Sequence, residues 1–433
     1  MDLLIKPVRQ LSGQIKVPGD KSISHRAVML GALARGKTEI TGFLRGKDCL
    51  STVRCIRALG IPVKMAGETV TVEGRGLDGL QEPETVLNAG NSGTTIRLLS
   101  GILAGQPFSS VITGDSSLRR RPMGRVTGPL REMGAVIIGR SEGTLAPLAI
   151  RGGNLKPFAY ESPVASAQVK SALLLAGLFT PGWTQVREPV LSRNHTELML
   201  GSFGAEIERD GTTVRVKGEK ELTGRQVFVP GDISSAAFFM VAALIVPQAR
   251  IVIETVGLNP TRAGIIEALR MMGARIRLYD VKTVAGEVMG TVEAENSDLE
   301  GITIGGEIIP RLIDEIPILA VAALFARGVT EIRDAAELKV KESNRIAAIC
   351  EGLSRLGGRV EELPDGLRIH GGHPLKGAVC RSFHDHRIAM ALAVAGLAAR
   401  GQTVIEDAES IAVSFPGFTA AIDCLKQGLN PLN

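Results

Sequence analysis

The chain has 433 residues, which at roughly 150 per domain suggests about two or three domains. Its composition, 44% hydrophobic and 22% charged, excludes the disordered, collagenous and coiled-coil classes. A net charge of +5 with only 3% aromatic residues supplies neither the basic density nor the stacking surface of a nucleic-acid binder, and fits an enzyme that handles small anions.

In chain order the predicted elements form a repeat. A helix of small apolar residues, a turn and an alternating strand begin at Met29 (MLGALARGKTEIT), Leu98 (LLSGILAGQPFSSVIT) and Leu173 (LLLAGLFTPGWTQVRE). They return at Met240 (MVAALIVPQARIVIE), Ala320 (AVAALFARGVTEIRD) and Ala391 (ALAVAGLAARGQTVIED). The turn positions Gly36, Gly105, Gly182, Gln248, Gly328 and Gly401 recur every 66–80 residues. Between them lies a second signature, an amphipathic helix stopped by Gly60, Gly134, Gly204, Gly273 or Gly357 and followed by a strand; a sixth copy near Gly428 is degenerate. Glycine at these positions suits a left-handed residue closing a helix. Short strands such as VTVEG, LAIRGG, VRVKG and LRIHGG complete the units.

Each unit therefore reads strand, helix, strand, helix, strand, strand, and the fold class is α/β with helices packed on one side of each sheet. Six units exceed one compact core. Pro-Gly pairs at Pro18–Gly19 and Pro230–Gly231 punctuate the chain, so two lobes of three units are expected, one at 18–230 and one combining 1–17 with 231–433. Two crossings form a hinge able to close over a substrate.

The longest charge-free stretches, Ile316 to Ala326 with Pro317 inside it and Ile388 to Ala399, fall short of the ~18–20 apolar residues that span a bilayer. The N-terminal MDLLIKPVRQLSG has no signal-peptide pattern. The five cysteines, Cys49, Cys55, Cys350, Cys380 and Cys424, form no CxxC pair. A cytoplasmic protein with free thiols is expected.

The start of each small-residue helix carries more than a helix needs. Ser, Thr, Asn and Asp serve as N-caps, and Asp232, Ser234 and Ser235 are read that way. Capping does not account for Lys21, Arg26, Arg97, Lys170 and Arg387, because cations are unfavourable at the positive end of a helix. Free N–H groups there attract anions, and added cations strengthen that attraction. If the units pack alike, these ends converge on one cleft. The loop GNSGTT (90–95) offers backbone N–H groups to an anion but lacks the lysine of a P-loop. Arg121, fixed by Pro122, is the best ligand in the arginine-rich 117–125 loop; Ser192 and Arg193 stand in a second loop. In AELKVKESNRI (336–346), Lys341 and Arg345 are spaced to share one helix face, with Glu342 beside them. His384 and His386 in HDH look superficially metal-like without partners at ligand spacing, and no G-x-S-x-G elbow is present. No metal and no covalent nucleophile are expected.

Taken in order, PGDKSISHRA, GNSGTT, RPMGR, SAQVKSALLLAGL, KESNR, DHRIAM and SFP resemble the EPSP synthases, the enolpyruvyl transferases of the shikimate pathway, from end to end of the chain. The resemblance implies a two-lobed, inside-out α/β barrel of six βαβαββ units, three per lobe, acting in aromatic amino acid biosynthesis as a cytoplasmic monomer without cofactor, nucleic acid or membrane. It implies transfer of the enolpyruvyl group of phosphoenolpyruvate to the 5-hydroxyl of shikimate 3-phosphate, with release of phosphate. By motif, shikimate 3-phosphate falls to Lys21, Ser22, Arg26, Ser166, Gln168, Arg193, Asp314 and Lys341. Phosphoenolpyruvate falls to Lys21, Asn91, Gly93, Arg121, Gln168, Arg345 and Arg387, with His386 beside the site. The lobe at 18–230 would bind mainly shikimate 3-phosphate and the other would complete the catalytic site. Two positions depart from some relatives: Ala167 stands where a second serine occurs, and Val413 where a tail lysine occurs.

The residue types suit this chemistry. Two substrates that each carry a carboxylate and a phosphate need fixed cations. Adding a hydroxyl to C2 of the enol while C3 gains a proton needs an acid/base set, for which Asp314, Glu342 and Lys21 are the candidates, Asp314 facing the hydroxyl and Glu342 facing C3. Gly93 would leave room for glyphosate. The alternatives are a UDP-N-acetylglucosamine enolpyruvyl transferase, whose loop cysteine is missing between Asp115 and Arg121, and a non-catalytic anion- or RNA-binding repeat protein, against which the carboxylates beside the cations argue.

Overall fold

The structure is a computed structural model that describes residues 1–428. The chain forms two compact units. One comprises Met1–Pro18, Pro230–Thr283 and the chain from Val288 onward; the other comprises Gly19–Val229 with Val284–Glu287.

Within the Gly19–Val229 unit, three helices pack side by side: Lys21–Leu33, Gly93–Ala104 and Ala167–Gly177. Their sequences are apolar nearly all round, which suits helices enclosed on every side rather than lying on a surface. Each begins at a side-chain cap. Asp20 accepts from the Ile23 N–H at 2.9 Å, Ser92 from Thr95 at 3.0 Å and Ser166 from Val169 at 3.5 Å. Sheets cover this helical centre, each turning alternate residues inward: Val214 and Val216 of Thr213–Lys217 are buried while Arg215 and Lys217 face water. The apolar side chains of the unit form one continuous core.

The second unit repeats the scheme with Ile233–Ile245, Ile316–Phe325 and His386–Ala398, and every residue of the first of these is buried. Asp232 and Asp385 cap their helices at 2.8 and 2.9 Å. Pro317 stands in the first turn of the middle helix, where no intrahelical N–H is lost.

The strand order repeats as well. Leu87–Asn88, Ser109–Thr113, Leu145–Arg151 and Val136–Gly139 lie side by side in that order, the first pair parallel and the others antiparallel. The expected succession of strand, helix, strand, helix, strand, strand is present. Not every unit takes its strands from contiguous sequence, however. The parallel partner of Ala34–Thr41 is supplied by Leu222–Thr223 and Gln226–Phe228, late in the same compact unit. The corresponding partner of Arg250–Gly257 is Ser12–Lys16. Among the described residues the sixth repeat runs to the helix Phe418–Lys426, and Leu3–Ile5 pairs antiparallel with Thr403–Glu406. The sheet of the degenerate copy near Gly428 thus takes a strand from the start of the chain.

The helix-stopping glycines Gly60, Gly134, Gly204, Gly273 and Gly357 have φ between 82° and 113°. Gly105 differs from the other turn positions, since its φ is −86°; there a side chain would overlap the Phe179 ring, so the requirement is space. No helix among the described residues is long and apolar enough to cross a membrane.

Gly101 sits where Gly93–Ala104 crosses Ala167–Gly177, and a Cβ there would overlap the Ala172 carbonyl oxygen. Backbone cannot rotate aside as a side chain can, so Gly101→Ala is expected to lower unfolding free energy by about 1–3 kcal/mol. Urea unfolding measures this; wild-type stability would mean that the two helices separate freely.

Candidate active site

Because the three central helices of a unit start at the same end, their N-terminal residues meet. In the Gly19–Val229 unit, Lys21 opens the first helix and its ammonium lies 2.8 Å from Asp48. Arg26, one turn on, is buried. Its guanidinium donates to Thr196 at 2.6 Å, to Ser171 at 2.9 Å and to the Ser22 carbonyl at 3.0 Å. Burial pulls the Arg26 pKa down to about 10, an effect that Glu197 opposes and Arg193 reinforces. It stays charged at neutral pH, and Arg193 is close enough to be felt.

The other two helices contribute beside it. Gln168 donates to Thr94 Oγ1 at 3.0 Å, joining the second and third helix starts. Arg121 donates to Asn91 Oδ1 at 2.6 Å, and Asn91 in turn donates to Asp115 at 2.8 Å. Gly93 is the first residue of its helix, and a Cβ there would lie 2.6 Å from an Arg97 nitrogen and 3.5 Å from an Arg121 nitrogen. A larger residue would therefore push into the guanidinium groups. Below this layer runs a buried chain in which His25 Nδ1 meets Thr52 Oγ1 at 2.6 Å and Thr52 meets Thr95 at 2.7 Å. Thr95 donates to Ser92 Oγ at 2.8 Å. Burial, helped by Lys21 and Arg26, holds the His25 pKa well below its usual value, so the ring is neutral at pH 7.

In the other unit the arrangement centres on Arg345, which is 1% exposed. It donates to Asp385 at 2.9 Å, to Asp314 at 3.1 Å and to Glu342 at 2.6 Å. Burial disfavours its charge, but Asp385, Glu342 and Asp314 together outweigh that and hold its pKa above the ordinary guanidinium value. Lys341 approaches Asp314 at 4.0 Å. Arg387 donates to the Asp314 carbonyl at 3.1 Å, with Asp314 Oδ2 and Glu315 at 3.9 and 3.8 Å. Behind it, Arg262 donates to Ser234 at 2.7 Å and to Asp232 at 3.3 Å, and Ser234 bonds Glu315. Of the three carboxylates on this one cation, the two with partial exposure, Asp314 and Glu342, stand beside Lys341 and Arg387 and can orient an anion and hand protons to and from it.

The structure thus gathers Lys21, Ser22, Arg26, Asn91, Gly93, Arg121, Ser166, Gln168 and Arg193 at the helix starts of one unit. It gathers Asp314, Lys341, Glu342, Arg345 and Arg387 in the other. Three readings need correction. Lys341 and Arg345 do not share a helix face: the helix begins at Arg345 behind the Asn344 cap, and Asp314 is what brings them together. Lys170, read as a cation awaiting an anion, is neutralised inside the protein by Glu188 at 2.7 Å and Glu197 at 2.8 Å. His384 does have carboxylate neighbours, Asp407 at 3.8 Å and Glu409 at 3.9 Å, on an exposed edge where Glu409 also binds the N-terminal ammonium at 2.8 Å. The counter-ions Asp48, Asp115, Glu188, Glu315 and Asp385 were missed, although Glu315, inside RLIDEIP, and Asp385, inside HDHR, lay within motifs. Burial pushes the Cys55 thiol up to about 12 and Cys350 and Cys380 to about 11, and all five cysteines are free.

The model of the family EPSP synthase (3-phosphoshikimate 1-carboxyvinyltransferase) matches residues 5–422. A 3-phosphoshikimate 1-carboxyvinyltransferase of Desulforamulus reducens is 59% identical over 99% of both chains, and one of Pelotomaculum thermopropionicum is 62% identical over 97% of both. The solved EPSP synthase of Acinetobacter baumannii is 44% identical, with a TM-score of 0.88 over 99% of this chain and 98% of that one. The enolpyruvyl transferase NikO of Streptomyces tendae, 21% identical with a TM-score of 0.78 over 98% of this chain and 97% of that one, shares the fold.

The neutral His25 generates a pH dependence. Its folded pKa lies below the unfolded value of 6.5, so below pH 6.5 the unfolded chain binds a proton that the folded chain does not. Stability is then lost as the pH falls, by about 1.4 kcal/mol per pH unit until the folded value is reached. Between pH 7.5 and 5.5 the wild type should lose about 1.4 kcal/mol more than His25→Gln, read from urea midpoints. Equal losses would show that the ring titrates normally.

Proposed function

Because the chain belongs to the EPSP synthase (3-phosphoshikimate 1-carboxyvinyltransferase) family, we propose that the residues gathered above carry out its reaction, the transfer of the enolpyruvyl group of phosphoenolpyruvate to shikimate 3-phosphate. The observation that carries the assignment is the pair of carboxylates, Asp314 and Glu342, bonded to one buried guanidinium, that of Arg345.

Asp314 accepts the proton of the 5-hydroxyl as its oxygen bonds to C2 of phosphoenolpyruvate, while C3 takes up a proton and becomes a methyl group. Glu342 is assigned to C3. In the second half, the C2–O bond to phosphate breaks, C3 gives back a proton and the enol ether forms. Lys21 touches both substrates and takes part in proton transfer at the bridging oxygen. The C3 proton is only borrowed, and the proton taken from the 5-hydroxyl leaves on the departing phosphate, so the net change is one new C–O bond, one broken C–O bond and the proton moved from the hydroxyl to free phosphate.

Shikimate 3-phosphate is assigned to Lys21, Ser22, Arg26, Ser166, Gln168, Arg193, Asp314 and Lys341, and the unit containing most of them, Gly19–Val229, binds mainly this substrate. Phosphoenolpyruvate is assigned to Lys21, Asn91, Gly93, Arg121, Gln168, Arg345 and Arg387. The pairing of Arg121 with Asn91 at 2.6 Å supports this, since it aims a planar cation beside the first turn of a helix. The reading extends to a cytoplasmic enzyme acting as a monomer.

Phosphate release from phosphoenolpyruvate should require shikimate 3-phosphate, and a purified protein that releases none with both substrates present would overturn the proposal. In Asp314→Ala, kcat should fall by about 10²-fold or more, the usual loss when an acid/base group is removed, with the circular dichroism of the fold retained. A near-normal rate would remove Asp314 from its role.

A further inference from the structure

We propose that Glu188 is a positioning residue for shikimate 3-phosphate, acting through Ser166, Ser192 and the loop that carries Arg193; this inference rests on the substrate assignment made above. Glu188 follows the strand Trp183–Arg187, and its side chain is 1% exposed. Its two oxygens are divided between two segments. Oε1 accepts the Ser166 backbone N–H at 2.9 Å, at the cap of the helix Ala167–Gly177. Oε2 accepts the Ser192 hydroxyl at 2.8 Å and the Ser192 N–H at 3.3 Å. One carboxylate therefore ties the start of the helix holding Ser166 and Gln168 to the loop holding Ser192 and Arg193.

Lys170 keeps that carboxylate in place. Its ammonium lies 2.7 Å from Glu188 Oε2 and 2.8 Å from Glu197 Oε1, and donates to the Ser192 carbonyl at 3.4 Å. Glu197 in turn acts on Arg26, whose charge it favours. Thr196, next to Glu197, accepts from Arg26 at 2.6 Å. Glu188, Lys170 and Glu197 thus form a buried line from the Ser166 cap, and Thr196, adjacent to Glu197, carries it to Arg26 on the first helix. A well-packed apolar cluster would be at least as stable as such ions, so the gain from the line is geometric. It fixes the spacing of Ser166, Arg193 and Arg26 before a ligand arrives.

The test is steady-state kinetics of Glu188→Gln, with each substrate varied at saturating concentration of the other and the wild type run alongside. The amide holds one segment and releases the other. KM for shikimate 3-phosphate should rise about tenfold or more, the scale of losing a hydrogen bond to a charged group. KM for phosphoenolpyruvate and kcat should change by less than about threefold, because Glu188 bonds Ser166 and Ser192, whereas the Gln168 side chain is held separately by Thr94. Glu188→Asp keeps the charge opposite Lys170 but is one methylene too short for both segments. It should show the same selective rise and serves if the amide variant does not fold. Unchanged KM values, or equal rises for both substrates, would overturn the proposal by reducing Glu188 to general structural support. Wild-type protein inactive with both substrates would instead overturn the substrate assignment.

Discussion

Charge placed at the starts of dry helices must be paired, and that constraint shapes both units. The central helices are enclosed by sheets, so a cation at their N-termini has little water and no favourable dipole to stabilise it. The cations at these helix starts have carboxylates or a set of oxygens within reach: Lys21 has Asp48, Lys170 has Glu188 and Glu197, and Arg387 has Asp314 and Glu315; Arg345, which opens a neighbouring helix, has three carboxylates. Arg26 is held by hydroxyl and carbonyl oxygens instead. It is also the cation whose pKa burial lowers, which shows the cost of neutral partners.

The two units solve the constraint differently, and the difference follows their proposed work. Around Arg345 the carboxylates dominate, and two of them, Asp314 and Glu342, retain partial exposure while Asp385 is fully buried. Asp385 both caps the helix at Arg387 and grips Arg345, so it is the fixed member, leaving the other two oriented toward accessible space. In the Gly19–Val229 unit, Arg121 and Asn91 pair with each other and the acidic partner Asp115 lies one bond further back. That layout presents donors forward, as binding of phosphate and carboxylate requires.

Much of this was legible in the sequence because it follows local rules. The left-handed glycines at Gly60, Gly134, Gly204, Gly273 and Gly357 mark helix ends, the Asp and Ser caps mark helix starts, and the small-residue helices announce their burial by lacking a polar face. What escaped is non-local. The strand Ser12–Lys16 pairs with Arg250–Gly257, and Leu222–Phe228 with Ala34–Thr41. Nothing within a repeat tells a short edge strand which neighbour it will join. Likewise the motifs displayed cations but concealed their counter-ions, since Asp48 and Glu188 lie 27 and 18 residues from the lysines they serve. The spacing of Lys341 and Arg345 suggested one helix face because the helix start at Asn344 was not visible; a shared carboxylate from another element achieves the proximity.

The internal ion pairs also bear on the proposed selectivity. A ligand anion that engages Lys21 competes with Asp48 at 2.8 Å, and one that engages Arg345 meets a cation already bonded to three carboxylates. Each exchange gives up an existing ion pair for a new one, so a single weak anion gains little net free energy. A metabolite with both a carboxylate and a phosphate engages several cations at once and offsets these losses together. Its rigid spacing must then match side chains that buried partners already hold in position, and ligands of the wrong length lose contacts without relief from side-chain movement. The internal counter-ions that balance the helix starts therefore also raise the threshold for binding, and favour molecules bearing two well-separated negative groups.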